Sequence, residues 1–236
     1  MSAIFRREFR TYFTSPLGYV VLAMMFALCG ALFASNTLYG SSADLSPVFS
    51  SVMLIATIIV LPVLTMRLMS EDKRQRTDQM LLTAPVSLTS IVLGKFFAAL
   101  LLLFIGTLSM VIFAFIIALQ TSPDWMVFLG NYIGLLFLGS LIIAIGLFVS
   151  SLTESQFIAA LGTFLVSFFL LTIETIGSMI TSAEWMTKLT GFLSVYTRYT
   201  TFTTGLMQYD DVFFFVSMTA LFLFLSVRVL DRKRWN

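Results

Sequence analysis

The stretch 90–119, SIVLGKFFAALLLLFIGTLSMVIFAFIIAL, contains a single charged residue, Lys95. A helix needs about 20 mostly apolar residues to cross a bilayer, so this run is long enough to start outside the hydrocarbon. Five further segments pass the same test: 17–38, 48–66, 126–149, 156–173 and 212–229. Their interiors hold almost no charge. The whole chain agrees: of 236 residues, 58% are hydrophobic and 11% charged, against about 25% charged in a soluble domain. Mean hydropathy is +0.97. The expected fold class is an all-α integral membrane protein of about six transmembrane helices. It forms one domain over 1–236, with no internal repeat and no low-complexity linker.

Composition excludes several functions. A net charge of +2 is too small to suggest a nucleic-acid partner. Cys29 is the only cysteine, so an intrachain disulfide is impossible. With no histidine, the commonest metal ligand and general base is missing. The basic N-terminus before 17–38 resembles a signal peptide, but the apolar run is too long and lacks a clear cleavage site; it reads as a retained first span.

Orientation follows from lysine and arginine. Arg6, Arg7 and Arg10 precede the first span; Arg67, Lys73, Arg74, Arg76 and Lys95 surround the link between the second and third; Arg228, Arg232, Lys233 and Arg234 close the chain. The alternate links carry Asp44, Asp124, Glu184, Asp210 and Asp211, with only Lys188 and Arg198 as cations. Both termini and the second-to-third link are expected in the cytoplasm.

Four features stand out between and within the spans. Residues 3–14 form an amphipathic helix: Ile4, Phe5, Phe9, Tyr12 and Phe13 share a face opposite Arg6, Arg7 and Arg10, although Glu8 falls on the apolar side. It reads as an elbow helix lying in the interface against anionic lipid, or more simply as a basic topogenic cap. Residues 70–87, SEDKRQRTDQMLLTAPVS, mix charges with an apolar Met80-Leu81-Leu82 patch. Thr77 is suited to cap a short helix, Asp78 to sit in its first turn, Pro85 to end it and Ser87 to cap the next. An exposed Leu pair calls for a docking partner, with Arg74, Arg76 and Asp78 as its polar rim; a solvated positive-inside loop is the plainer alternative. Gly130 and Gly134 make a GxxxG suited to close helix packing. Pro62 is expected to kink the second span.

Glu174, at the end of the fifth span, either marks the water interface or serves a function, since an acid at that depth is costly unless paired or wet. Beyond it, a segment to about residue 208 is rich in Trp185, Phe192, Tyr196, Tyr199 and Phe202. It is too polar to span and too apolar for a free loop, so short re-entrant helices in the outer leaflet are expected over 174–208, before the last span. Glu174, Tyr196, Arg198 and Tyr199 are the outer gate candidates. Gly94-Lys95 is no phosphate loop, because Phe96 and Thr89 break the pattern; Lys95 is expected to snorkel to the interface. No ATP-binding motif occurs anywhere.

The stretch 74–96, RQRTDQMLLTAPVSLTSIVLGKF, resembles the cytoplasmic signature of the type 2 ABC transporter permeases (the ABC-2 family), in particular their gliding-motility-associated branch. The matching positions are Arg74, Arg76, Leu81, Leu82, Pro85, Gly94 and Lys95. Of the usual Gly-Thr-Glu before Leu-Leu, Thr77 is kept and the glycine is not. Ser150–Gln156, SSLTESQ, with Glu154, resembles the family's short link between fourth and fifth spans, and Phe222–Trp235 its last span and basic tail. The resemblance covers nearly the whole chain. It implies a permease dimer, with a copy or a related chain, bound to two cytoplasmic ABC ATPase subunits. ATP and Mg would then sit in the partner ATPase and no cofactor in this chain. It also implies that the region of about 70–88 holds the coupling helix, making Arg74, Arg76, Thr77, Asp78, Leu81, Leu82 and Glu154 the candidate ATPase-coupling residues. No catalytic or metal residue is expected.

An ion-coupled carrier is disfavoured by uncharged span centres, and an intramembrane enzyme by the lack of a polar catalytic set. A non-transporting anchor of a protein complex is compatible with the same sequence. Charge asymmetry makes one direct prediction. On a Cys29→Ser background, a cysteine placed near Asn236 stays unlabelled by an impermeant reagent added outside intact cells, and labelling there would reverse the topology.

Overall fold

The computed structural model describes residues 2–39, 44–74, 87–120, 123–180, 190–205 and 208–235, and every regular element among them is helical. Six helical segments are long and apolar enough to cross a membrane: Pro16–Thr37, Ser46–Arg74, Leu88–Ala118, Trp125–Leu152, Gln156–Gly177 and Tyr209–Arg232. They coincide with the six expected spans, with longer ends. Six alternating spans bring the helix Ser2–Thr14, the end of the last helix, Arg74, Ser87 and the link 153–155 to one end of the bundle. This is called the basic end here, and the opposite one the acidic end.

A helix α1 (Ser2–Thr14) precedes the spans. Its chain turns at Ser15, and Pro16 occupies the first turn of α2 (Pro16–Phe33), where its missing N–H costs nothing. The second span is built in pieces: α3 (Ser46–Ile55), a π-helical turn Ala56–Val60, α4 (Leu61–Thr65) and α5 (Ser70–Arg74). The irregularity has a cause. Pro62 offers no N–H to the preceding turn, and the ladder shifts register there, with the Leu61 N–H reaching back to the Ala56 carbonyl. Thr65 bonds its hydroxyl to the Leu61 carbonyl at 2.9 Å. The expected kink at Pro62 is therefore a π-bulge followed by proline.

The remaining elements are α6 (Leu88–Ala118), α7 (Trp125–Leu152), α8 (Gln156–Ile180), α9 (Val195–Thr203) and α10 (Tyr209–Trp235). Side-chain caps define three of the starts. Ser87 caps α6, Asp124 accepts from the Met126 and Val127 N–H groups of α7, and Ser194 caps α9. α8 runs past the expected end of the fifth span at 173, so Glu174 lies inside a helix.

α7 is the central post. It packs against α3, α4, α6, α8, α9 and α10. Lipid supplies no hydrophobic drive between helices, so close approach through small residues matters. A Cβ on Gly130 would stand 2.6 Å from the Phe202 carbonyl oxygen, and one on Gly134 2.8 Å from Phe202 Cβ. The GxxxG thus receives α9, not another span. On the same helix, Gly139 admits Leu103 of α6 and Gly146 admits Thr65 of α4. Gly205, at φ 76°, ends α9 in a left-handed turn that favours glycine.

Even a methyl at Gly130 collides with backbone. Gly130→Ala is expected to lower stability by about 2 kcal/mol and to speed hydrogen exchange in 195–203. Unchanged exchange in purified protein would show that α9 does not depend on this seat.

Candidate functional site

At the basic end, α1 lies against α6 and α2. Ile4 and Tyr12 are buried, Phe5, Phe9 and Phe13 are half-buried, and Arg6, Arg7 and Arg10 are exposed. The three phenylalanines form a ladder, with ring centroids 6.0 Å and 4.9 Å apart. The contact with α6 is made at Gly94, where a Cβ would come within 2.9 Å of Ile4 Cγ2 and 3.3 Å of the Phe5 nitrogen. The next residue, Lys95, is only 2% exposed. Its Nζ sits 3.1 Å from Glu8 Oε2 and 2.7 Å from Asp72 Oδ2, while Glu8 Oε1 accepts from Arg7 at 2.6 Å.

Lys95 therefore does not snorkel to water. It is buried between two carboxylates, because α1 and α5 cover the route to the interface. The same contact explains Glu8, the one acid on the apolar face of α1: it points inward to meet the lysine. Gly94-Lys95 acts as a docking pair, the glycine admitting the helix and the lysine holding its acid.

α5 is fixed from its other side by α7. Ser150 Oγ accepts from the Met69 and Ser70 N–H groups at 3.0 and 2.9 Å, which satisfies backbone donors where the second span breaks. Lys73 Nζ donates to the Ser151 carbonyl oxygen. Arg67 and Glu71 pair at 3.0 Å along the same segment. Residues 72–74, which lead into the link 75–86, are thus tied to α7 through Lys73 and to α6 through Asp72, whose partner Lys95 also holds Glu8 of α1. On the far side of that link, Ser87 caps α6.

Of the expected coupling residues, Arg76, Thr77, Asp78, Leu81 and Leu82 lie outside the described residues. Arg74 is exposed at the end of α5, and Glu154 is exposed in the link between α7 and α8. α5 touches both of those helices, so the two charges belong to one surface. Glu8, Asp72, Lys73 and Ser150 escaped the sequence reading. The signal available was a pair of misfits, one acid on an apolar face and one lysine in an apolar span, each of which needed a partner.

At the acidic end, Glu174 accepts a hydrogen bond from Thr197 Oγ1, which links α8 to α9. Arg198 lies between rings, its guanidinium carbon 4.2 Å from the Phe214 centroid and 4.8 Å from that of Phe192. It donates to Asp211 Oδ1 at 2.8 Å and to the Phe192 carbonyl at 3.0 Å. Thr201 donates to the other Asp211 oxygen at 2.5 Å. Arg198 and Asp211 side chains are 13% and 7% exposed, so this is a buried clasp between α9 and α10. Tyr199 is fully buried, whereas Tyr196 is exposed. The four gate candidates thus divide: Glu174 and Arg198 hold α9 in place, Tyr199 packs beneath it and Tyr196 faces outward. Asp211 is the member the sequence reading missed.

Removing one partner from a buried ion network leaves the others uncompensated. Lys95→Met is expected to cost about 3 kcal/mol and to expose α1 to proteolysis. Restoration by Glu8→Gln combined with Asp72→Asn in the same protein would confirm electrostatics as the cause, and a stable, protease-resistant Lys95→Met protein would exclude it.

Compared with curated proteins, the chain has no match. A family model does match: that of the ABC-2 family transporter protein aligns with residues 2–235, nearly the whole chain and every element described above. All six candidate membrane-crossing helices, the docked amphipathic helix α1 and the short helix α9 lie within that match, and the chain belongs to the ABC-2 family of transporter membrane proteins.

Proposed function

We propose that this chain is the permease subunit of an ATP-binding cassette exporter, of the gliding-motility-associated branch, seated in the plasma (inner) membrane with its basic end and both termini in the cytoplasm. It works as a dimer, with itself or a related permease, beneath two ABC ATPase subunits that carry the ATP and Mg. The chain converts their motion into substrate movement and performs no chemistry of its own. The uncharged spans suit amphipathic or lipid-linked cargo.

One observation carries this reading. The link 75–86 is held at both ends by elements that reach across the bundle: α5, tied to α7, α6 and α1, and the capped start of α6. A displacement applied there by a partner is delivered to three helices at once. A loop that merely joined two spans would need no such anchorage. In a permease, the two bundle arrangements differ in which side they open, and ATP-driven closure of the partners shifts the population between them. The family match supports the transporter assignment. The clasp over the acidic end, Arg198 with Asp211 and Glu174 with Thr197, supports a closed outer side that must rearrange for release.

The test is complex assembly and coupled hydrolysis. Leu81 and Leu82 act as the apolar anchors in the ATPase, with Arg74, Arg76 and Asp78 around them and Thr77 capping. Binding energy concentrates in such buried anchors. Leu81→Ala with Leu82→Ala is expected to reduce ATPase co-purification, or permease-dependent vanadate-sensitive hydrolysis, by about tenfold. Arg74→Ala is expected to do less. Membrane expression is measured alongside. Wild-type recovery and hydrolysis in the double variant would defeat the proposal.

A further inference from the structure

Between α6, α7 and α10 lies an open groove of about 1170 Å³, floored by Leu100, Phe104, Leu136 and Phe137, walled by Leu223, and met at the basic end by Phe5 of α1. The groove runs along α6 only from Phe96 to Phe104, about 12 Å at the helical rise. That is close to half of a hydrocarbon core of about 30 Å. Toward the acidic end it is blocked by aromatic packing. Phe202, seated on Gly134, lies 6.5 Å from Phe137 and 6.1 Å from Phe215 between ring centroids, and Tyr132 lies 6.4 Å from Phe104. The groove is a short open furrow, bounded by Phe96–Phe104 of α6, Ile133–Ser140 of α7 and Val216–Leu223 of α10, and it meets α1 at Phe5.

Its two hydroxyls ask nothing of a ligand. Ser140 donates to the Phe137 carbonyl and Thr219 to the Phe215 carbonyl, each at 2.7 Å. No charged side chain lines the groove, and the charges next along the chain from its Phe5 wall are the arginines of α1. Arg6, next to Phe5, and Arg10, one turn along the same face of α1, are exposed, and neither pairs with an acid among the described residues. Arg7 is taken by Glu8, and Arg228 lies near Asp231 at 3.8 Å. A second copy of this chain would bring a full-length helix, which a half-depth slot does not fit.

We propose that the groove holds the acyl chains of one anionic phospholipid from the leaflet at the basic end, with its phosphate held by Arg6 and Arg10. Exposed arginines at a membrane surface select anionic head groups. The bound lipid sets the seating of α1, and through Glu8 the Lys95 network. The inference needs only the membrane, not the partner ATPase, so it stands or falls separately from the proposed function.

Full-length protein is reconstituted in phosphatidylcholine vesicles carrying, in turn, phosphatidylglycerol or phosphatidylcholine with a photoactivatable acyl chain, and adducts are located by peptide mass spectrometry. Adducts are expected to concentrate on Leu101, Phe104 and Leu223 over the exposed Ile112 and Leu165, and to favour phosphatidylglycerol. Arg6→Gln is expected to lower that preference by about fivefold. Ala220→Trp, which fills the slot, is expected to remove groove adducts and spare those at Leu165. Adducts distributed simply by exposure, or equal labelling by both lipids, would overturn the proposal. Protection of the groove would also overturn it, and would assign the slot to a second copy or another protein.

Discussion

An ammonium group buried about two turns into an apolar helix must be neutralised where it stands, and Lys95 sets this requirement for the whole basic end. It is only 2% exposed, so carboxylates must come to it. Glu8 arrives on α1 and Asp72 on α5. Two elements distant in sequence are thereby fixed to α6, and the amphipathic helix becomes part of the protein body while still presenting its arginines outward. Neutralisation by two acids, one of them also paired with Arg7, gives a small network in which the position of each helix depends on the others.

The acidic end solves a similar problem with a similar device. Arg198 is buried between two aromatic rings and paired with Asp211, so α9 is held to α10 by charge and to α7 by shape, through the glycines that admit Phe202. Between the two ionic layers the described bundle interior buries hydroxyls such as Thr57, Thr107 and Thr163 but no charge, and it is held by close packing at Gly139 and Gly146. Ion networks at the ends and small-residue contacts in the middle are what a membrane bundle has available, because hydrophobic burial distinguishes poorly between protein and lipid.

The two ends are joined by α7, which touches most other helices. Its basic end carries Ser150 and Ser151, which hold α5, and its acidic end carries Gly130 and Gly134, which hold α9. A rigid helix with a fixed partner at each end moves both when it moves. The π-helical turn at Ala56–Val60, in contrast, places an irregular stretch of backbone in the neighbouring second span.

The six spans, though not their ends, were written in the sequence, because the bilayer demands long apolar helices and leaves no other backbone solution for an uncharged run. So were the cap at Ser87, an irregularity at Pro62 and the amphipathic nature of α1, all of which rest on local chemistry; the cap at Asp124 was not read from the sequence. The sequence also exposed its own anomalies, Glu8 and Lys95, without saying that they belong together: they lie on different helices, and periodicity within a helix carries no information about which face meets which neighbour. The same limit hid Asp211 from Arg198 and Ser150 from the break after Met69. It also left Tyr196 and Tyr199 equivalent, although one faces outward and the other is fully buried. Pairing across helices, and the half-depth groove enclosed by three of them, were decided only by tertiary packing, because both depend on how close the helix axes come, and that is set by glycines and side chains far apart in the chain.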